Sequence, residues 1–205
     1  AAVSAGPLAC NPHMYSKLPY DTLRDFTPIA NMINFPLMLV AHPSLPVKNV
    51  KELIALAKAK PRGINFASSG VGSSPHLCGE LFNTAAGVDM VHVPYKGAGV
   101  ATTDILSGQI QMFCSGLTAL NALIKAGRMR PIGMATLKRS SLMPDIPTIN
   151  EQGLKDFEVT SWTGIVAPAK TPRAIVQKLY DALARITQTD DMKQFVQQQG
   201  ADMAL

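Results

Sequence analysis

The chain has 205 residues, of which 47% are hydrophobic and 16% carry a charge. Charged residues usually make up about a quarter of a globular protein, so this composition excludes extended disorder. No apolar stretch approaches the roughly 20 residues that a membrane-spanning helix needs. The net charge of +5 mildly favours acidic ligands. The basic residues lack the interleaved aromatic side chains of a single-stranded nucleic-acid platform, so we predict that they lie on solvated helix faces.

Strands and helices alternate along most of the chain. Residues 1–34 are predicted to be an irregular start, because they are rich in turn residues. Hydrophobic runs then predict strands at residues 35–42, 64–67, 90–95, 110–114, 130–136 and 158–167. Helical periodicity and capping residues predict helices after Asn49 and after Ser74, at 100–106, 117–126, 172–187 and 191–199, and a short one that ends at Gly153. This alternation implies parallel βαβ units.

Three of the predicted helices have a clear apolar face. Asn49 and Glu52 have the spacing of a capping box, which marks the start of the first of these helices. The faces predicted to be buried consist of Val50, Leu53, Ile54 and Ala57; of Leu77, Leu81 and Ala85; and of Ile175, Leu179, Leu183 and Ile186. Ser74 is the predicted N-cap of the second of these helices.

Neither the cysteines nor the histidines form a metal-binding motif. Cys10, Cys78 and Cys114 form no CxxC pair and lie at no zinc-ligand spacing from a histidine, so we predict small buried residues. His76 and Glu80 are one helical turn apart, but one pair does not make a metal site. We therefore expect no metal ion and no other cofactor. His76 either closes the turn that precedes it or packs as an ordinary surface histidine.

Three turns that follow predicted strands are rich in serine and glycine: residues 68–74, which we name the serine-rich turn, residues 96–99 and residues 115–118. In a parallel sheet such turns lie at the carboxyl edge of the strands, where they face one cleft. Each turn precedes a helix, whose free N–H groups and positive dipole end attract an anion. Together the turns predict a carboxylate site. The alternative is that their glycines only permit tight turns.

The serine-rich turn matches no phosphate-binding or hydrolase motif. In a P-loop the last glycine is followed by Lys and Ser or Thr, whereas this chain has Ser73 and Ser74. The Gly-x-Ser-x-Gly nucleophile elbow does not occur anywhere in the sequence. Two other side chains allow two interpretations each. Lys96 either offers a cation to an anionic ligand or is an exposed loop lysine, and Trp162 either lines the cleft or packs in a core or hinge.

Short motifs follow one another along nearly the whole chain. They lie at residues 11–15 (NPHMY), 18–21 (LPYD), 25–28 (DFTP), 66–76 (FASSGVGSSPH), 91–97 (VHVPYKG), 124–127 (IKAG), 143–148 (MPDIPT) and 161–164 (SWTG). In this order they resemble the Bug family, the extracytoplasmic solute receptors of tripartite tricarboxylate transporters. Members of that family begin with a further strand and glycine-rich turn and end with a further helix. The resemblance therefore implies a chain truncated at both ends.

The Bug resemblance implies an α/β fold of the periplasmic-binding-protein type (type II), with two lobes around a ligand cleft and an incomplete first lobe. The first lobe would comprise residues 1–39 and 158–205, and the ligand-binding second lobe residues 40–157. The residues expected to contact the ligand are Ser68, Ser69, Gly70, Gly72, Ser73, Lys96, Gly97, Ser115 and Gly116 in the second lobe, with Ser4, Gly6 and Trp162 in the first.

The resemblance also implies a periplasmic receptor that captures a small carboxylate without catalysis. Its partners would be that ligand and, transiently, the membrane subunits of the transporter, with no nucleic acid. One alternative is a ligand-sensing module of the same fold that signals to a sensor kinase or regulator. Another is an α/β serine hydrolase, with Ser73 or Ser115 as the nucleophile and His76 or His92 as the base.

Overall fold

The computed structural model describes residues 1–205 apart from the side chain of Thr118. The chain divides into two compact units. Unit 1 consists of residues 1–35 and 161–205, and unit 2 of residues 36–160. The ligand-binding lobes expected at residues 1–39, 40–157 and 158–205 stay predictions.

Unit 1 contains a small sheet and several helices. Its elements are β1 (Ala2–Ser4), a π-helical turn (Gly6–Cys10), α1 (Asn11–Met14), α2 (Thr22–Asp25), the first part of β2 (Phe26–Ala41), most of β7 (Thr160–Pro168), α7 (Arg173–Thr187), α8 (Asp190–Gln198) and β8 (Asp202–Met203). β7 lies between β1 and β2, and β8 pairs with β2. The irregular start predicted for residues 1–34 is therefore wrong, because regular elements occupy most of it.

Unit 2 is a mixed sheet with helices between its strands. Its elements are the second part of β2, α3 (Val50–Ala59), β3 (Asn65–Ser68), α4 (Ser74–Ala86), β4 (Val91–Pro94), α5 (Ala98–Leu106), β5 (Met112–Gly116), α6 (Leu117–Lys125) and β6 (Arg130–Met134). β3 pairs in parallel with β4 and β5, as predicted. β2 lies between β5 and β6 and runs antiparallel to both, which the prediction of parallel units did not include.

Apolar side chains cover both faces of the unit 2 sheet. Successive residues of β2 belong to two different hydrophobic cores, since neighbouring side chains of a strand point to opposite faces. One core contains Leu37, Leu39, Ala41, Phe66 and Cys114, and the other contains Met38, Val40, Ala67 and Phe113. Burial on both faces explains why the sequence around β2 is a continuous apolar run rather than an alternating one.

The start of α3 agrees with the predicted capping. The Glu52 N–H donates to Asn49 Oδ1 at 2.9 Å, and the Glu52 carboxylate accepts from the Lys48 N–H at 2.7 Å. The carboxylate thus bonds the amide of the residue before the cap. The buried residues of the helix, Val50, Leu53 and Ala57, lie on the predicted face.

The start and the buried face of α4 both differ from the prediction. Ser73 is the N-cap in place of Ser74, and its Oγ accepts from the His76 N–H at 3.4 Å. The predicted apolar face of Leu77, Leu81 and Ala85 is exposed. The buried side chains are Cys78, Phe82 and Ala86, one position further along. The predicted row and the buried row are both apolar. In the buried row, Phe82 packs against Phe157 with the ring centroids 6.2 Å apart.

The apolar stripe of α7 is largely exposed. Ile175, Leu179 and Ile186 are 43–51% exposed, so their predicted burial is wrong, and Leu183 is half-buried. Periodicity identifies an apolar face of a helix, but the partner of that face is not encoded in the same segment. The extent of α7 and the presence of α8 agree with the prediction.

Every helix that the structure describes is too short or not apolar enough to cross a membrane.

The short helix predicted to end at Gly153 is a series of turns. Thr148 and Glu151 bond each other reciprocally: the Thr148 N–H donates to the Glu151 carboxylate at 2.7 Å, and the Glu151 N–H donates to Thr148 Oγ at 2.9 Å. These bonds are those of a helix start. Gly153 ends the segment with a φ of +113°, outside the helical region, so no helix follows.

A disulfide links α4 to β5. It joins Cys78 and Cys114, which are 36 residues apart in the chain, while Cys10 is free and half-buried. The predicted burial of Cys78 and Cys114 is confirmed, whereas Cys10 is only half-buried. The disulfide itself was not predicted. The pairing arises because α4 packs against the face of β5 that carries Cys114.

Gly79 allows α4 to approach β3 closely. A Cβ atom at this position would overlap the ring of Phe66. Gly79→Ala should therefore lower the free energy of unfolding by about 1–3 kcal/mol, as overpacking usually does. Gly99→Ala in α5 is the matched control, because a Cβ there meets open space. It should stabilise the protein by up to about 1 kcal/mol through helix propensity. Urea unfolding measures the free energy of unfolding of both variants. A change of the same sign in the two variants would contradict the close packing of Gly79 against Phe66.

Candidate functional site

The turns predicted in unit 2 meet at one edge of the sheet. Ser68 lies opposite Pro94 in the parallel pair β3–β4, and Ala67 lies opposite Phe113 in the parallel pair β3–β5. Parallel strands in register end at the same edge. The starts of α4, α5 and α6 are consequently brought together there. The Tyr95 N–H donates to the Ser68 carbonyl at 3.1 Å, which joins the first two turns directly.

This edge carries helix N-termini without acidic side chains. The N-caps of α4, α5 and α6 are Ser73, Gly97 and Gly116, and none of the three helices has an acidic residue in its first turn. By contrast, α3 and α8 have acidic residues in their first turns. An acidic side chain there would neutralise the positive end of the helix dipole. The edge of unit 2 is thus left electropositive toward an external anion.

Internal hydrogen bonds hold the serine-rich turn in shape. The Gly70 carbonyl accepts from the Ser73 N–H at 3.2 Å and from Ser73 Oγ at 2.6 Å. The Gly72 N–H donates to His76 Nδ1 at 3.2 Å, so His76 closes the turn, one of its two predicted roles. The amides of Ser69 and Val71 donate to no protein group that the structure describes. These two donors are available to a ligand.

Ser68 is buried, and its hydroxyl is engaged within the protein. Its Oγ lies 2.6 Å from His92 Nε2 and 3.1 Å from both the amide nitrogen and the carbonyl oxygen of Gly70. This arrangement orients the first residues of the turn. The role of Ser68 as a ligand contact stays a prediction, as do those of Ser69 and Gly70.

A column of stacked rings lies beside the serine-rich turn. His92 stacks on Phe66 with ring centroids 5.0 Å apart and on His76 with centroids 4.0 Å apart. Burial and then the neighbouring His76 lower the pKa of His92 to about 4, so the His92 ring is neutral near pH 7. No local sequence pattern predicted this column, because His92 lies on β4 and His76 on α4.

The nucleophile–base pairs considered for a hydrolase are not formed. Ser73 Oγ donates to the Gly70 carbonyl, and Ser115 bonds no histidine ring in the described part of the chain. His92 faces Ser68, which is neither of the two serines considered as a nucleophile. A serine nucleophile needs both an accessible hydroxyl and a base within hydrogen-bond distance.

The turn after β4 is fixed by a bond that the sequence did not reveal. The Tyr95 hydroxyl donates to Asp104 Oδ2 of α5 at 2.6 Å. Burial and the Asp104 carboxylate raise the pKa of Tyr95 to about 12. Lys96 follows as an exposed residue, and Gly97 has a φ of +118°, which favours glycine at the start of α5.

The candidate residues of unit 1 also lie close to one another. Ser4 lies opposite Thr163 in the β1–β7 pair, next to Trp162. Trp162 lines a cavity of about 310 Å³ together with Val3 and Gly164. Its predicted place in the ligand cleft stays a prediction. Gly6 begins the π-helical turn that follows β1. A second cavity, of about 560 Å³, is lined by residues of the segment 8–23, which includes the motifs at residues 11–15 and 18–21.

Comparison with known proteins settles the family of this chain. The family model of the tripartite tricarboxylate transporter family receptor, TctC, matches residues 1–204. The chain belongs to the TctC family. The ordered motifs therefore identified the right family, since its relatives include a Bug protein. Protein BugT of Bordetella pertussis is 34% identical over 174 residues, which cover 84% of this chain and 53% of BugT.

Solved structures of similar proteins have the same fold. Rpa4515 of R. palustris, solved with adipate, has a TM-score of 0.92 at 34% identity. MatC of Rhodopseudomonas palustris, solved with bound malate, has a TM-score of 0.87 at 30% identity. Each comparison covers 98% of this chain and 68% of the solved chain. The predicted α/β, two-lobed periplasmic-binding-protein fold is confirmed for this TctC-family chain.

The TctC-family chain spans only part of the length of several relatives. It spans 49–60% of the length of three curated relatives, one of which is BugT. It spans 68% of Rpa4515 and of MatC.

Proposed function

We propose that this chain is the solute-binding part of a periplasmic receptor that captures a small carboxylate for a tripartite tricarboxylate transporter, without catalysis. The observation that carries the proposal is the convergence of three helix N-termini, none with an acidic residue in its first turn, at one edge of unit 2. Backbone N–H groups and the helix dipole bind anions at such an edge. Membership of the TctC family supports the same ligand class.

The donors of unit 2 fit a carboxylate group. The free amides of Ser69 and Val71 lie beside the start of α4, and Gly97 and Gly116 precede helices without capping by a side chain. Two carboxylate oxygens offer about four lone-pair sites, so several amides can serve one carboxylate. Lys96 is exposed at the same edge and supplies a cation.

Unit 1 would contribute through Ser4, Gly6 and Trp162. The cavity that Trp162 lines is mainly apolar, with Val3, Ile165 and Val166 in its wall. An aromatic and aliphatic wall suits the carbon chain of an organic acid better than a second charge. We propose that this cavity of unit 1 accepts an apolar group.

The disulfide supports the periplasmic assignment. Cys78 and Cys114 are paired and buried. Disulfides persist in oxidising compartments and are rare where glutathione keeps thiols reduced. The periplasm is such a compartment, and it is where a soluble receptor meets the membrane subunits of its transporter.

Calorimetric titration tests the carboxylate proposal. We expect the purified protein to bind at least one of adipate, malate, citrate and benzoate, and not to bind the neutral amide or methyl ester of the same compound. The charge is the feature that the helix N-termini recognise, so the neutral analogue is the matched control. Absence of heat with every acid in the panel, or equal binding of acid and amide, would contradict the proposal.

Ser69→Ala should weaken binding of the acid identified in this way without abolishing it. Removal of one hydroxyl that bonds a charged group costs about 1.5–3 kcal/mol, or roughly 10- to 150-fold in affinity, while the backbone donors remain. Ser107→Ala is the control, because this serine is exposed at the C-terminal end of α5. An unchanged affinity in folded Ser69→Ala would show that the Ser69 hydroxyl does not bond the ligand.

A further inference from the structure

Three potential metal ligands lie together beside the serine-rich turn. His76 and Glu80 are one turn apart on α4, and His92 projects from the neighbouring strand β4. One ligand atom from each of the three side chains lies within 4.8 Å of the other two. We propose that His76, Glu80 and His92 bind one divalent transition-metal ion, for which Zn²⁺ is the probe. This proposal does not depend on carboxylate binding.

The donor set fits zinc and its neighbours in the first transition row. Two imidazoles and one carboxylate, with an open position for water, are a common zinc ligand set, and these donors favour Zn²⁺ over Mg²⁺ or Ca²⁺. Bonds of about 2.0–2.1 Å place ligand atoms of a tetrahedral ion about 3.4 Å apart. The His76 ring, which is stacked on His92 with centroids 4.0 Å apart, must therefore turn so that its lone pair points at the ion, and the carboxylate must move closer. Glu80 can supply this movement, because its side chain is 47% exposed and its Oε1 lies 3.8 Å from His76 Nε2.

Ser68 holds His92 in an orientation suited to a ligand. With a proton on Nε2, His92 donates to Ser68 Oγ at 2.6 Å, and the Ser68 hydroxyl donates in turn to the Gly70 carbonyl. This tautomer leaves a lone pair on Nδ1, which bonds no protein group that the structure describes. Metal-binding histidines usually donate their other ring N–H to an oxygen of this kind.

The metal site is coupled to the serine-rich turn through His76. In the metal-free protein His76 Nδ1 accepts from the Gly72 N–H at 3.2 Å, so the ring proton is on Nε2, toward Glu80. A metal ion on Nε2 moves that proton to Nδ1, where it faces the Gly72 N–H. Two donors cannot share a hydrogen bond. Metal binding should therefore displace the Gly72 amide and change its NMR resonance.

The test is Zn²⁺ binding to the ligand-free protein, measured by competition with a chromogenic chelator. We expect one Zn²⁺ per chain, and at least tenfold weaker binding in Glu80→Gln and in His92→Gln. His13→Ala, a histidine of unit 1, is the matched control and should bind like wild type. Glu80 is half-exposed, so Glu80→Gln remains informative if a histidine variant fails to fold. In a second readout, bound Cu²⁺ should show nitrogen hyperfine coupling from two imidazoles.

Several outcomes would overturn the metal proposal. These are no Zn²⁺ binding by the wild type, unchanged affinity in folded Glu80→Gln and His92→Gln, or an equal loss in His13→Ala. None of these results bears on carboxylate binding, which is measured by a separate titration. A protein that binds zinc but no carboxylate would contradict only the proposed function.

Discussion

Gly72→Val should reduce carboxylate binding by at least 100-fold, about 2.7 kcal/mol. Gly72 is buried in the serine-rich turn with a φ of +79°, a conformation that a β-branched residue adopts only with strain. Relief of this strain would shift the turn and with it the amides of Ser69 and Val71, which we propose as donors to the ligand. Calorimetric titration with the acid that the wild type binds measures the loss.

Gly87→Val is the matched control for this variant. Gly87 has a φ of +60° at the opposite end of α4, and a Cβ there meets open space. Both variants should lose comparable stability from backbone strain, about 1–3 kcal/mol, but only Gly72→Val should lose binding. If folded Gly72→Val, checked by circular dichroism, binds like wild type, the serine-rich turn is only a helix cap.

Loss of the Cys78–Cys114 disulfide should lower the free energy of unfolding by about 2–4 kcal/mol, because the bond closes a long loop in the unfolded chain. The cross-link spans 36 residues and joins α4 to the strand that ends in Ser115 and Gly116. For a protein of this size the expected fall in Tm is about 4–16 °C. Calorimetry of the double variant Cys78→Ala, Cys114→Ala measures it.

Cys10→Ala is the control for the disulfide experiment, since Cys10 is free. It should leave Tm nearly unchanged and should remove the thiol that alkylates under denaturing, non-reducing conditions. Wild type should therefore show one alkylated cysteine by mass spectrometry. Three alkylated cysteines in protein exported to the periplasm would contradict the pairing.

Local signals predicted most of the elements of unit 2. The Asn49–Glu52 spacing marked the start of α3, and Gly87 and Gly127 marked the ends of α4 and α6, because capping depends on residues next to one another in the chain. Local signals could not predict which of the two apolar rows of α4 is buried. The row of Leu77 and the row of Cys78 are offset by one position, and the buried row is the one that carries the disulfide to β5.

The position of the candidate site was predictable, but its internal contacts were not. Strand order and turn composition placed residues 68–74 and 96–97 at one edge, since parallel strands end together. The contacts of His92 with Ser68 and His76 join residues of different elements. Such pairs depend on the register of β3 and β4, which hydrophobic periodicity does not encode. The potential metal ligands were therefore seen in the sequence only as one His–Glu pair.

The two units differ in when their parts are synthesised. Unit 2 is one uninterrupted segment, whereas unit 1 needs residues 161–205, which are synthesised after unit 2. Until then β1 and the first part of β2 lack β7, the strand that lies between them. Unit 2 can complete its own contacts earlier, so we expect it to fold first. Unit 1 would meanwhile expose unpaired strand edges, the feature most prone to aggregation in a nascent chain.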